Sequence, residues 1–414
     1  MGIKDKCGGE FTILPPLAHV IIAALSEKPK MSSDNVEMRE MAARICRDYL
    51  HGSWRKITSR DIVLKRISGG LSNWLYHVSL PDTHPPKSSE PSQVLLRLYG
   101  QIHGTERALE GLITESVIFT LLSERKLGPK LHGVFPGGRI EEYIPARPLK
   151  TKELSDSKLS ILIAEKMASI HQMNVPINKE PRWLWDTLNG WLENVRANLD
   201  DPGIIDSHNE AMVHKLKMYN FPAELEWLRK FLSKIPSRVV FCHNDMQEGN
   251  ILLCCDNMSD KEALQDPRLV LIDFEYCSYN YRGFDLANHF LEWVYDYTNS
   301  AQPYFSVNKQ NYPTREQQLM FVRTYLRHAG RRSEQPTERE EEALLREIEA
   351  FSLASHLFWG LWSAVNAKLS QIPFGYWEYA IERLESYFQL KNKILQTTVA
   401  AEVGVKRKIQ DLES

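Results

Sequence analysis

Three short apolar runs, Val239–Phe241, Ile251–Leu253 and Leu269–Ile272, bracket a set of polar residues between positions 239 and 275. Runs this short, rich in β-branched residues and cut by polar stretches, predict strand, loop, strand, turn, strand. Asp245 and Asn250 then project from one loop, and Asp273 arrives from the end of a neighbouring strand. One carboxylate can take the proton of an attacking hydroxyl, while an amide oxygen and a second carboxylate can hold Mg2+ on phosphates. Each piece alone has a plainer reading, because Asp and Asn five apart commonly cap backbone N–H groups in turns. Together, in this order and each beside an apolar run, they predict a phosphotransferase site.

The spacing of Asp245 and Asn250 resembles the H-R-D-x-x-x-x-N loop of protein kinases, with Asn244 in place of Arg. Asp273-Phe274-Glu275 stands where D-F-G would, with Glu275 in place of Gly. His243-Asn244-Asp245-Met246-Gln247-Glu248-Gly249-Asn250, then Asp273-Phe274-Glu275-Tyr276 and Tyr279-Asn280-Tyr281-Arg282-Gly283-Phe284-Asp285, resemble the choline kinase branch of the choline/ethanolamine kinase family. The resemblance runs from about residue 35 to about residue 395. It implies an α+β, bilobal protein-kinase-like fold, with a small N-lobe built on an antiparallel sheet and a large, mainly helical C-lobe. It also implies ATP and Mg2+, choline as acceptor with ethanolamine as a weaker one, and a homodimer.

The chain has 414 residues, more than one ordinary core accommodates, so two lobes are expected. The expected division is an N-terminal extension at 1–34, an N-lobe at 35–145 and a C-lobe at 146–414. Lys plus Arg number 51 against 53 Asp plus Glu, so no overall field favours nucleic acid or an anionic membrane. The six cysteines include no C-x-x-C pair, which fits a reduced, cytoplasmic setting. Phe11–Leu25, interrupted by Pro15-Pro16 and His19, is shorter than the roughly 20 residues a membrane span needs, so no stable membrane anchor is expected.

In chain order, Met38–Leu50 predicts a short helix. Gly69, Gly70, Leu71, Ser72, Asn73, Trp74 and Leu75 predict a hairpin tip, which reads either as a plain turn or as a loop that approaches phosphates. In the family this stretch is the nucleotide loop. Pro81–Pro91 reads as an exposed linker. Arg97 interrupts the strand Val94–Tyr99 and needs a charged partner if it faces inward; a phosphate or Glu115 on the next helix could supply it. Ile113–Leu122 predicts a long helix stopped by Gly128-Pro129. Glu141-Glu142-Tyr143-Ile144-Pro145 reads as a plain strand-to-linker transition or as a hinge where backbone groups meet adenine. The resemblance implies a nucleotide contact over 142–148, including Glu142, Tyr143 and Ile144, and many relatives carry Gln where Glu142 stands.

Beyond Pro148 the pattern turns helical, with a polar hairpin insert at 254–268 and polar loops at 298–315 and 328–341. Aromatic residues crowd the last third of the chain, and Trp359 and Trp362 share a helical face. Such a stripe reads as core or as a cage. A quaternary nitrogen donates no hydrogen bonds, so its recognition must come from ring faces and a nearby carboxylate. By the family pattern, Asp245, Tyr276, Glu292, Tyr297, Trp359, Trp362, Phe374 and Tyr379 surround the choline, with Glu292 as countercharge. Asp245 is the expected catalytic base, Asn250 and Asp273 the Mg2+ ligands, and Gln247 a further contact on the acceptor or phosphate side. Glu275 is expected to assist at a second metal, His243 to brace the loop, and Arg282 and Asp285 to form a supporting pair. The rival readings are an ethanolamine-preferring kinase, a relative of the aminoglycoside phosphotransferases, and an inactive kinase-fold scaffold.

Overall fold

Alternating apolar residues give the chain its sheet and helical spacing gives it the rest. The structure, a computed structural model, describes residues 36–67, 73–99, 106–201, 203, 205–255, 258–330, 334–370 and 372–413. The chain divides into two compact units, with Ile144 ending the first and Pro145 opening the second.

The first unit contains helix α1 (Val36–Tyr49), strands β1 (Val63–Ile67), β2 (Asn73–Ser79) and β3 (Gln93–Tyr99), helix α2 (Glu106–Glu124), and strands β4 (Leu131–Phe135) and β5 (Gly138–Glu142). The strands form one antiparallel sheet in the order β1-β2-β3-β5-β4. Every second residue of β3 (Val94, Leu96, Leu98) joins Tyr76, Val78 and Ile140 in a buried core with Met38, Ala42 and Cys46 of α1. Trp54 completes this core; fully buried, it donates its indole N–H to Pro91 O at 2.7 Å and so fastens the connector before β3. Burial of each large apolar side chain is worth about 1.5–3 kcal/mol.

Helix α2 stops at Glu124, before the predicted Gly128-Pro129. Lys126 adopts a left-handed conformation (φ 56°), and its N–H and that of Leu127 reach back to Ser123 O and Leu122 O. This is the Schellman arrangement, built here on a lysine instead of glycine.

The second unit opens with β6 (Ala146–Pro148) and continues through α3 (Ser157–His171), α4 (Trp183–Asp200), α5 (Ser207–Lys217), α6 (Phe221–Leu232), β7 (Val239–Cys242), β8 (Ile251–Cys254), β9 (Leu269–Leu271) and β10 (Ser278–Tyr281). Four long helices follow, α7 (Arg282–Glu292), α8 (Arg315–Gly330), α9 (Glu338–Leu369) and α10 (Tyr376–Glu413). Strands β6, β8 and β9 form one small sheet, and β7 pairs with β10. Helix α9 packs along α10, α7 and α4, while α3 packs on α8.

Two polar stretches differ from expectation. In the stretch 328–341, predicted as loop, residues 328–330 are the end of helix α8 and 338–341 the start of α9. Thr337 and Glu340 form a capping box, which starts α9 inside the charged run. Likewise the 254–268 insert contains a helical turn, Asp260–Ala263, capped by Ser259 and Glu262.

Candidate active site

The turn after β7 is set by a left-handed residue. Asn244 has φ 68°, a region open to a short polar side chain that binds nearby backbone. Its Nδ2 donates to Tyr276 O (2.8 Å) and Ser278 Oγ (2.9 Å), and its Oδ1 accepts from Asn280 Nδ2 (2.9 Å). Beneath it, Asp285 at the first turn of α7 accepts the backbone N–H groups of His243 (2.9 Å) and Asn244 (2.8 Å), and His171 Nε2 lies 2.9 Å from the same carboxylate. Burial alone would raise the Asp285 pKa, but the hydrogen bond and charge of His171 hold it below the usual carboxylate range. His243 braces the loop as expected, its Nε2 lying 3.0 Å from Ile272 O. The expected Arg282–Asp285 pair does not form. Arg282 instead bonds Glu347, because Asp285 points under the loop and is saturated there.

Asp245 follows this turn, half-buried. Asn250 Nδ2 donates to Asp245 O (2.9 Å) and to its Oδ2 (2.7 Å), which leaves Asn250 Oδ1 for another partner. The N–H of Ile272 bonds Asn250 O at 3.0 Å, so Asp273 is held beside Asn250, itself left-handed at φ 61°. Burial, then the charges of Glu292, Asp273 and Glu275, push the Asp245 carboxyl well above its usual range. The donor set suits a hard divalent cation: carboxylate and amide oxygens, with no sulfur or imidazole among the three residues. A cation there would also relieve the carboxylate repulsion. Gln247 is half-buried at the start of the 3-10 turn Glu248–Asn250.

A continuous arc of rings lies in the same unit. Tyr276 meets Trp359 at 5.7 Å between centroids, and Trp359 meets Trp362 at 5.5 Å. Trp362 donates its indole N–H to the Tyr276 hydroxyl at 3.1 Å. Tyr376 links Trp362 (6.0 Å) to Phe374 (5.1 Å), and Phe374 meets Tyr379 at 5.5 Å and Tyr297 at 6.5 Å. Tyr276 touches both halves, since its ring belongs to the arc and its carbonyl is bound by Asn244. Glu292, expected as a free countercharge, is 2% exposed and paired with the fully buried Arg383.

In the first unit, Arg97 is buried and donates Nε to Glu141 Oε1 at 2.7 Å; its Nη atoms make no hydrogen bond to described residues. Glu115, the partner considered for it, instead takes Arg139 at 2.7 Å. Arg139 stands opposite Arg97 in the β3–β5 register and shares Glu141 with it, so both guanidinium groups are anchored. Burial would raise the Glu141 carboxyl, but Arg97 and Arg139 hold it below its usual value.

A family model described as choline/ethanolamine kinase matches residues 64–388. The chain is 47% identical to a human choline/ethanolamine kinase, over 89% of this chain and 90% of the relative. It is 46% identical to mouse choline kinase alpha, over 86% and 81% of the two chains. It belongs to the choline/ethanolamine kinase family. Among solved structures, that of a choline kinase from Cryptosporidium parvum superposes with a TM-score of 0.67 at 28% identity, covering 87% of this chain and 97% of the other. The fold is therefore protein-kinase-like, and the chain is a kinase of the family that phosphorylates amino alcohols.

Within this kinase the residues expected for chemistry and for the acceptor come together in the second unit, and the cation-bearing strand lies in the first. Gly69, Gly70, Leu71 and Ser72 lie outside the described residues, as does the 1–34 extension. Asn73, Trp74 and Leu75 open β2, where Leu75 faces Arg97 across the register. Glu142 ends β5, and its side chain accepts the Lys130 N–H at 3.0 Å, while the Tyr143 ring lies tilted against His77 with centroids 4.0 Å apart. Sequence reasoning missed Arg139, Asn288, Phe305 and Arg383, and read Glu141 as part of the hinge rather than as a partner of Arg97. Asn288 accepts the Trp359 indole N–H (2.7 Å) and Ser355 Oγ (2.8 Å), while Phe305 packs on Tyr379 at 5.2 Å. Helical spacing was the available signal for two of these: Asn288 lies three residues after Asp285, and Arg383 four after Tyr379.

Proposed function

We propose that this kinase transfers the γ-phosphoryl group of ATP, as its Mg2+ complex, to the hydroxyl of choline, giving phosphocholine and ADP, with ethanolamine as a weaker acceptor. The arc of rings from Tyr276 through Trp359 and Trp362 to Tyr379 carries this reading, because it joins the turn that holds Asp245. Asp245 orients the hydroxyl and accepts its proton. Asn250 and Asp273 hold Mg2+, which neutralises charge building on the phosphates. Gln247 lines the acceptor or phosphate side, and Glu275 assists at a second metal.

Arg97 reaches the phosphates with its Nη atoms, residues 69–75 cover them, and the backbone of Glu142, Tyr143 and Ile144 meets adenine. Tyr276, Tyr297, Trp359, Trp362, Phe374 and Tyr379 surround the trimethylammonium, each face contributing about 0.5–2 kcal/mol when desolvated. Product phosphocholine feeds phosphatidylcholine synthesis. The family resemblance supports a cytoplasmic homodimer; among the described residues no helix is long and apolar enough to cross a membrane.

ADP release by the purified protein with Mg-ATP, compared for choline, ethanolamine and no acceptor, tests the reading. Stimulation by choline well above ethanolamine is expected. A preference for ethanolamine would discard the cage, and stimulation by neither would discard the reading.

A further inference from the structure

Four side chains at one end of the ring arc close a circuit. Arg383 Nε donates to the Tyr379 hydroxyl at 2.8 Å, and Tyr379 and Tyr297 share a hydroxyl contact of 2.7 Å. Tyr297 donates to Glu292 Oε2 at 2.8 Å, and Arg383 Nη2 bonds Glu292 Oε1, completing the ring. Since the Tyr297 hydrogen goes to Glu292, the Tyr379 hydrogen must go to Tyr297. Each carboxylate oxygen thus accepts a hydrogen bond within the circuit, and both hydroxyl hydrogens are donated within it.

The circuit is built into the fold. Arg383 is fully buried, its guanidinium 3.8 Å from the centroid of the Tyr295 ring. Its Nη1 has no hydrogen-bond partner among the described residues, a costly arrangement for a buried donor. Helix α10 can bring it so close to α9 because residue 360 is glycine: a Cβ there would come within 3.0 Å of Leu384.

We propose that Arg383 makes the acceptor site prefer a quaternary over a primary ammonium. The inference rests on the reading of the ring arc as the acceptor site. A primary ammonium brings three N–H donors and loses strong hydration on burial, so it needs acceptors in return. Glu292 is the carboxylate at this end of the ring arc, distinct from the hydroxyl-facing Asp245. Arg383 pairs with its charge, while Arg383 and Tyr297 each bond one of its oxygens. A trimethylammonium has no donors to satisfy and loses nothing by this; ring faces suffice for it. Arg383 is a specificity residue that acts through Glu292 and Tyr379.

The test is kcat/KM for choline and ethanolamine in the wild-type chain, Arg383→Gln and Tyr297→Phe, with melting curves to establish folding. Freeing Glu292 offers ethanolamine a charge-assisted hydrogen bond that choline cannot use. The ethanolamine-to-choline ratio of kcat/KM is expected to rise about tenfold or more in Arg383→Gln, through a lower KM for ethanolamine. The KM for ATP is expected to stay within about twofold. Tyr297→Phe, which frees only Oε2, should move the ratio the same way by about threefold. A folded Arg383→Gln whose two acceptors decline in parallel would overturn the proposal. If that variant does not fold, an unchanged ratio in Tyr297→Phe overturns it instead. Lack of choline-stimulated turnover in the wild-type chain would count against the proposed function and not against Arg383.

Discussion

At Asp245 and Glu248 the fold raises carboxyl groups above the range they would have in water. Asp245 is repelled by Glu292, Asp273 and Glu275 in addition to being desolvated, so its basicity suits proton acceptance from a hydroxyl. Asp245→Ala is expected to lower kcat by about 10²- to 10⁴-fold with little change in melting temperature, read by steady-state ADP release. Trp362 is half-buried and reaches Tyr276 only through its indole N–H, so truncation spares most of the core. Trp362→Ala should raise the KM for choline about tenfold and leave that for ATP within about twofold; equal changes in both would contradict the cage.

Glu248 gives a pH signature of its own. Burial first, then Glu292, push its carboxyl from 4.5 up to about 8, although Thr151 donates to it at 3.1 Å. The native state therefore keeps a proton that the unfolded chain gives up. The stability this contributes is present below pH 4.5 and is lost as pH rises through about 8. Glu248→Gln keeps the shape without the titration, so its advantage in melting temperature should grow between pH 5 and pH 8.5. A gap that stays flat across that window would refute the assignment.

Elements show where local sequence signals suffice and where they fail. Strands β3, β7, β8 and β9 are legible because short apolar runs sit between polar breaks. Helix α9 is legible in its aromatic middle, but its charged start hides in what reads as loop until Thr337 and Glu340 are seen as a capping box. Ion pairing was the least legible feature. Arg97 stands out as a cation in a strand, yet only the folded structure shows that it pairs with Glu141 and that Glu115 pairs with Arg139. Arg383 was hidden similarly, since nothing local links it to Glu292 91 residues earlier. Two turns test the backbone argument. Lys126→Gly should stabilise the first unit by about 0.5–1 kcal/mol, seen as a shifted denaturant midpoint, because a left-handed lysine is strained. Asn244→Ala should do the opposite at its turn: it forfeits three hydrogen bonds and lowers kcat by about 100-fold as Asp245 shifts.

Across the whole molecule, every residue assigned to the acceptor lies in the unit that begins at Pro145. Choline binding should therefore slow amide exchange in stretches 276–297 and 355–383 of the full chain and leave strands β1–β3 unchanged. Protection confined to the first unit would place the acceptor elsewhere. Arg97→Ala should likewise weaken ATP use without altering choline affinity, which calorimetry with choline alone would read.

The circuit through Arg383 also has a consequence for how the protein is made. Asp245, Asn250 and Asp273 leave the ribosome well before the helix that carries Arg383, which follows Asp273 by 110 residues. At about 5–20 residues per second, a nascent chain spends roughly 5–20 s with Asp245, Asn250 and Asp273 made and Arg383 still to come. If Arg383 sets the acceptor preference as proposed, a chain discriminates between amino alcohols only once helix α10 has been made and docked.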